Sequence, residues 1–141
     1  MLEKKVTKAN LIKISDSIFE IAQNFRSDMR VPARLFATEE IIKDILQDRS
    51  LDQLVNVTTL PGIQKYAFAM PDIHQGYGFP IGGVAMMDTH SGVISPGGIG
   101  YDINCGVRLM VSNISYKDAL PMAQNLADEL YKAVPSGVGV G

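Results

Sequence analysis

The apolar positions fall into three successive regimes: an opening stretch of mixed periodicity, a glycine-broken middle and a closing helical stripe. Residues 10–15 (Asn-Leu-Ile-Lys-Ile-Ser) read as a short strand. Ser17 followed three residues later by Glu20 is a capping-box start, and Ile18, Ile21, Ala22, Phe25 and Met29 then recur on one face at helical spacing. The pattern therefore predicts a first helix, ended by Val31-Pro32 because proline cannot continue it. Thr38 before Glu39 and Glu40 puts an acceptor and negative charge at the start of a second helix, with Ile41, Ile42, Ile45 and Leu46 as its buried stripe. Ser50 with Gln53 repeats the capping-box spacing for a third, which buries Leu51, Leu54 and Val55 and stops at the Pro61-Gly62 turn.

From residue 64 to residue 110 helical periodicity is lost, and short apolar runs such as 66–70 and 84–87 are punctuated by glycine and proline. Strands joined by tight loops fit this stretch. Afterwards Ala119, Met122, Ala123, Leu126, Ala127 and Leu130 form a last helical stripe, with Pro121 in a tolerated first-turn position and Pro135 as its stop. The chain closes on the glycine-rich run 137–141, which reads either as the beginning of a loop that leads further or as a frayed end. Residues 1–141 are thus read as one segment of α+β class, helices packed on a glycine-interrupted mixed sheet.

Composition narrows the picture. At 46% hydrophobic and 20% charged, the 141 residues are ordinary for a globular chain with a core. A net charge of -2 carries no sequence-wide footprint for nucleic acid, so any contact with RNA is local or assisted. The lone cysteine, Cys105, has no intramolecular disulfide partner, and the opening residues are no charged-then-apolar leader, which together point to the cytoplasm. No stretch approaches the roughly 18 consecutive apolar residues of a membrane-spanning helix.

Two clusters could carry chemistry. In residues 97–108 glycines flank Asp102, Asn104, Cys105 and Arg108, and the spacing of three brings the Asp102 carboxylate and the Cys105 thiol to one side of a turn or helical arc. That donor pair suits manganese or zinc. A structural reading stands beside it: a buried cysteine acts as a small hydrophobe, and an aspartate near glycines caps a turn. In residues 70–80, Asp72 and His74 point the same way if the stretch is extended, towards a metal or a substrate. Alternatively the pair ties down a loop or supports a neighbouring ligand. His90 lies in the polar turn 88–92 and needs no special role. The glycines at 76, 78, 82 and 83 match neither a Walker nor a dinucleotide fingerprint.

The runs MPDIHQGYGFPIGGVA (70–85) and GVISPGGIGYDINCGVR (92–108) resemble the signature blocks of the RtcB ligases, and a looser likeness extends from about residue 30 to residue 139. The resemblance implies the N-terminal segment of the RtcB fold. It implies a manganese- and GTP-dependent enzyme that seals RNA ends bearing a 3'-phosphate or 2',3'-cyclic phosphate to 5'-hydroxyl ends, through a guanylylated histidine and transfer of GMP to the RNA 3'-phosphate. Its RNA would be tRNA halves or broken RNA, with an archease-type helper in some members. By the same resemblance Asp102 and Cys105 are metal ligands of a two-manganese site, the cysteine bridging both ions, and Asp72, His74, Asn104 and Arg108 lie near it. The remaining histidine ligands, the guanylylated histidine and most of the GTP pocket fall beyond Gly141, so no catalytic residue lies in the chain and the isolated chain is expected to be inactive. It would also expose apolar surface and self-associate. Two other readings remain: a short, non-catalytic binding or assembly module, and a metal-dependent phosphodiesterase using Asp72, His74, Asp102 and Cys105.

Overall fold

The computed structural model describes residues 5–100 and 106–135. These form two compact units, Met1–Asn104 and Cys105–Gly141. The architecture is α+β, as the sequence predicts.

The first unit is built on a mixed five-stranded sheet in the order β1-β2-β3-β4-β5. β1 (Ile12–Ser15) and β2 (Ile18–Ile21) form an antiparallel hairpin, and β2 pairs antiparallel with β3 (Ala33–Phe36). β3 runs parallel to β4 (Ile63–His74), which turns back antiparallel into β5 (Ile81–Met87). A parallel neighbour requires a crossover, here supplied by two helices, α1 (Glu39–Ile45) and α2 (Ser50–Val57). β4 carries a register shift between Ile63 and Ala67, where Lys65 adopts φ 56°, the local kink expected of a bulge.

α1 starts as the sequence predicts: the Thr38 side chain accepts from the Ile41 N–H. Ile42 and Ile45 of α1 and Leu51, Leu54, Val55 and Val57 of α2 are buried. They meet Phe19, Ile21, Ala33, Leu35, Ala67 and Ala69, the inward set of β2, β3 and β4. Each large aliphatic side chain buried here is worth about 1.5–3 kcal/mol. Val6 joins this core, and its N–H donates to Asp52 Oδ1 at 3.0 Å, which ties this residue to α2.

Residues 18–29 do not form the predicted helix: 18–21 are β2, and Gln23–Phe25 is a single 3-10 turn. The apolar residues of this stretch satisfy two periods at once, and the strand period wins because Phe19 and Ile21 fill the core while β3 satisfies the backbone. Glu20 faces the other side and pairs with Arg34 at 2.9 Å instead of reaching back to cap Ser17.

Among the described residues of this unit, no helix covers that other side. Ile12, Ile14, Met70, Val84 and Met86 are exposed there, alongside half-buried Ile18, Phe36, Tyr66 and Phe68. Phe36 and Phe68 stack with centroids 5.9 Å apart, and the Arg34 guanidinium lies 4.0 Å from the Tyr66 ring centroid.

A short α3 (Pro96–Ile99), capped by Ser95 accepting from the Gly98 N–H, follows β5. In the second unit Tyr116–Ala119 (α4) leads through a 3-10 turn, Leu120–Met122, into α5 (Ala123–Ala133). Pro121 sits in that turn, where the missing N–H has no consequence. Of the predicted stripe, Ala123, Leu126, Ala127 and Leu130 lie on α5, whereas Ala119 ends α4 and Met122 ends the 3-10 turn; Leu126 and Leu130 are exposed. Among the described residues no helix is long and apolar enough to cross a membrane.

Candidate functional site

Asp72 and His74 close strand β4 on either side of buried Ile73, so they share one face, as extended backbone requires. Both are exposed. His74 Nδ1 lies 2.7 Å from the backbone carbonyl of Asp72. A carbonyl only accepts, so Nδ1 carries a proton there, and the neutral ring keeps its lone pair on Nε2. The Asp72 carboxylate packs against Gly82 on β5, where φ is +71° and a Cβ would come 2.5 Å from Asp72 Oδ1. Only glycine leaves that space.

The pair opens onto a cavity of about 340 Å³ lined by Ile41, Asp44, Ile45, Asp48, Pro71, Asp72, Ile73 and His74. Its acidic groups come from α1, the α1–α2 corner and the end of β4. Among the described residues no three His, Cys, Asp or Glu side chains converge as a metal site.

The loop leaving β4 is held by two side chains that sequence reading assigned no such role. Asp48 Oδ1 accepts from the Ser50 N–H at 2.7 Å, capping the start of α2, while its Oδ2 accepts from the Gln75 N–H at 2.8 Å. Burial alone would raise the Asp48 pKa, but hydrogen bonds from Ser50 and Gln75, with a smaller electrostatic contribution from the neighbouring His74 side chain, outweigh it and hold the carboxyl below its usual value. Gln53 accepts from the Gly76 N–H at 2.9 Å and donates to the Gly76 carbonyl at 2.8 Å. The predicted capping box at Ser50 and Gln53 is therefore not formed, because Ser50 is already the first helical residue and Gln53 uses both ends of its amide on Gly76. Partners 23 and 27 residues away in sequence leave no local signal for either contact.

Gly76 does not shape an open phosphate cradle: a Cβ there would come 2.3 Å from the Phe79 carbonyl, so the residue serves close backbone packing. His90 lies in a turn closed by Asp88, whose Oδ1 accepts from the His90 N–H and Ser91 N–H at 2.9 and 2.8 Å. This is the polar turn the sequence predicts. Arg108 is exposed in the second unit. Asp102, Asn104 and Cys105, the expected ligands and their neighbour, lie outside the described residues.

A mixed sheet crossed over by two helices, with an Asp-x-His pair at a strand end, defines an α+β segment bearing a candidate site. Residues 53–141 match the family model described as tRNA-splicing ligase RtcB. The chain is 53% identical over 91% of its length to the tRNA-splicing ligase RtcB of Thermococcus kodakarensis, and 50% identical over 92% to that of Archaeoglobus fulgidus. It is 56% identical to the Pyrococcus furiosus protein of the same name over 67% of the chain, which is 10% of that relative. The chain belongs to the RtcB family. It spans about a quarter of the length of the first two relatives, 27% of each.

Proposed function

We propose that the chain is the N-terminal part of a GTP- and manganese-dependent RNA ligase, joining 3'-phosphate or 2',3'-cyclic phosphate ends to 5'-hydroxyl ends in cytoplasmic tRNA splicing or RNA repair. The 53% identity over 91% of the chain to a protein named tRNA-splicing ligase RtcB carries this reading. In it, Asp102 and Cys105 offer a carboxylate and a thiolate, hard and soft donors that together suit a divalent ion. Two manganese ions bound there would neutralise charge building on the phosphates. Such a thiolate must lose its proton to bind, so metal affinity falls in acid. Asp72 and His74 line the cavity at the end of β4, where the Nε2 of the neutral His74 ring offers an acceptor. Arg108 and Asn104 stand close to the metal ligands in sequence, Arg108 as a cation for phosphate. The guanylylated histidine and most of the GTP pocket belong to polypeptide outside these residues, and an archease-type helper remains a candidate partner.

The test is ligation by the whole protein, made from its complete gene, on RNA with 3'-phosphate and 5'-hydroxyl ends. Sealing should require both GTP and manganese and should be lost in Asp102→Ala and Cys105→Ala. The isolated 141-residue chain should bind manganese weakly, more weakly still in Cys105→Ala, and should not ligate. Robust sealing by the isolated chain, phosphodiester cleavage without GTP, or unchanged manganese affinity in Cys105→Ala would each overturn the corresponding part of the proposal.

A further inference from the structure

We infer that Gln53, supported by Asp48, is a positioning residue that sets the Asp72–His74 segment for reaction; the inference rests on the ligase reading above. At the end of β4 the chain leaves its ladder, and three polar backbone groups of residues 75 and 76 would otherwise turn to water. Instead Gln75 N–H is taken by Asp48 of the α1–α2 corner, and Gly76 N–H and the Gly76 carbonyl by Gln53 of α2, at 2.8, 2.9 and 2.8 Å. These are ordinary full-strength lengths.

The Gln53 amide pairs with Gly76 donor to acceptor and acceptor to donor, as a neighbouring strand would, and so fixes orientation as well as distance. Its backbone is held in turn. Leu51, Leu54 and Val55 on the same helix are buried in the core against the sheet, and the Gln53 N–H donates to Arg49 at 3.0 Å. The clamp therefore transmits the rigidity of α2 to a loop that begins one residue after His74. Asp72 is set from the other side by close contact with Gly82. Between those two restraints the pair has little freedom, which is what a reacting or substrate-contacting group requires.

The variants Gln53→Leu and Gln53→Glu separate this role from a purely structural one. Leucine fills similar volume and makes neither hydrogen bond. Glutamate makes both only when protonated, because its neutral carboxyl has one donor and one acceptor, whereas the carboxylate faces the Gly76 carbonyl with no proton to give. In the whole protein Gln53→Leu should lower kcat for ligation at least about tenfold while KM for RNA stays within about twofold, the pattern of an interaction that orients without adding ground-state affinity. The melting temperature should move little, and hydrogen exchange at the Gln75 and Gly76 amides should accelerate. For Gln53→Glu the rate relative to wild type should rise as pH falls from about 8 to about 6, since a partly buried carboxylate held against the Gly76 carbonyl oxygen is disfavoured relative to its protonated form. Gln47→Leu, at an exposed glutamine on the same corner, is the control and should match wild type in every readout.

A wild-type kcat in Gln53→Leu, a loss that tracks lowered melting temperature, or a flat pH ratio in Gln53→Glu would overturn the inference. If the wild-type protein itself does not seal RNA, the ligase reading fails. The Gln75 and Gly76 exchange rates then decide the clamp alone, and unchanged protection in Gln53→Leu would reject it.

Discussion

Arg34 lies over Tyr66, its guanidinium carbon 4.0 Å from the ring centroid, while its Nε donates to Glu20 at 2.9 Å. Three adjacent strands thus meet through one side chain: β2 by charge, β3 by backbone and β4 by the ring. The arrangement sits at the middle of the uncovered sheet face, where the half-buried ion pair is less screened than a fully exposed one. Replacing Arg34 by Ala removes the stacking and the pair together and should cost about 1–2 kcal/mol. Glu20→Gln removes only the charge and should cost less. Urea unfolding of both single variants and the double variant gives the coupling directly, and a coupling near zero would mean that the ion pair contributes nothing.

Asp48 makes stability depend on pH. Its folded pKa lies below the ordinary aspartate value, so the unfolded chain takes up the proton first as acid is added. The stabilisation is complete above that value and is lost as pH falls through the lower, folded one. Asp48→Asn should therefore be less stable than wild type near neutrality, and the difference should shrink below about pH 4. Chemical unfolding of both proteins across that range checks the sign. A constant gap would show that Asp48 acts by shape and not by charge.

Gly82→Ala tests the setting of Asp72. The position has φ +71°, and the new methyl would overlap Asp72 Oδ1, so backbone strain and displacement of the carboxylate act together. A loss of about 1–3 kcal/mol is expected from the backbone conformation. Truncating the neighbour in the double variant Gly82→Ala with Asp72→Ala should recover the steric part. No recovery would place the whole cost in the backbone.

The uncovered sheet face should make the isolated chain associate. Ile12, Val84 and Met86 are 49%, 49% and 51% exposed and share that face with Phe36 and Phe68. Contiguous apolar surface of this kind drives contact between copies in water. Light scattering of the 141-residue chain should report a mass above the monomer that falls on Val84→Lys with Met86→Glu. A monomeric wild-type chain would overturn the expectation.

Much of this protein is legible in its sequence. Local devices act over three or four residues, and they formed where the pattern put them: the Thr38 cap, the buried stripes of α1 and α2, the glycine-punctuated strands and the helix after Pro121. The Asp72 and His74 pairing was equally readable, because alternation along an extended strand needs no partner. Motif resemblance supplied the family. Spacing already put Asp102 and Cys105 forward as a donor pair and the resemblance strengthened that expectation, which lies outside the described residues.

Tertiary structure decided what depended on distant partners. Residues 18–21 carry a helix signal and a strand signal, and β3, 14 residues on from Glu20 at Arg34, chose between them. Gln53 looked like half of a capping box until the loop after β4 came within reach of its amide. Sequence alone determined the period of each segment and the types of its polar groups, since both are properties of near neighbours. Which period prevailed, and which polar group met which, followed from burial and hydrogen bonding between segments that chain folding brings together.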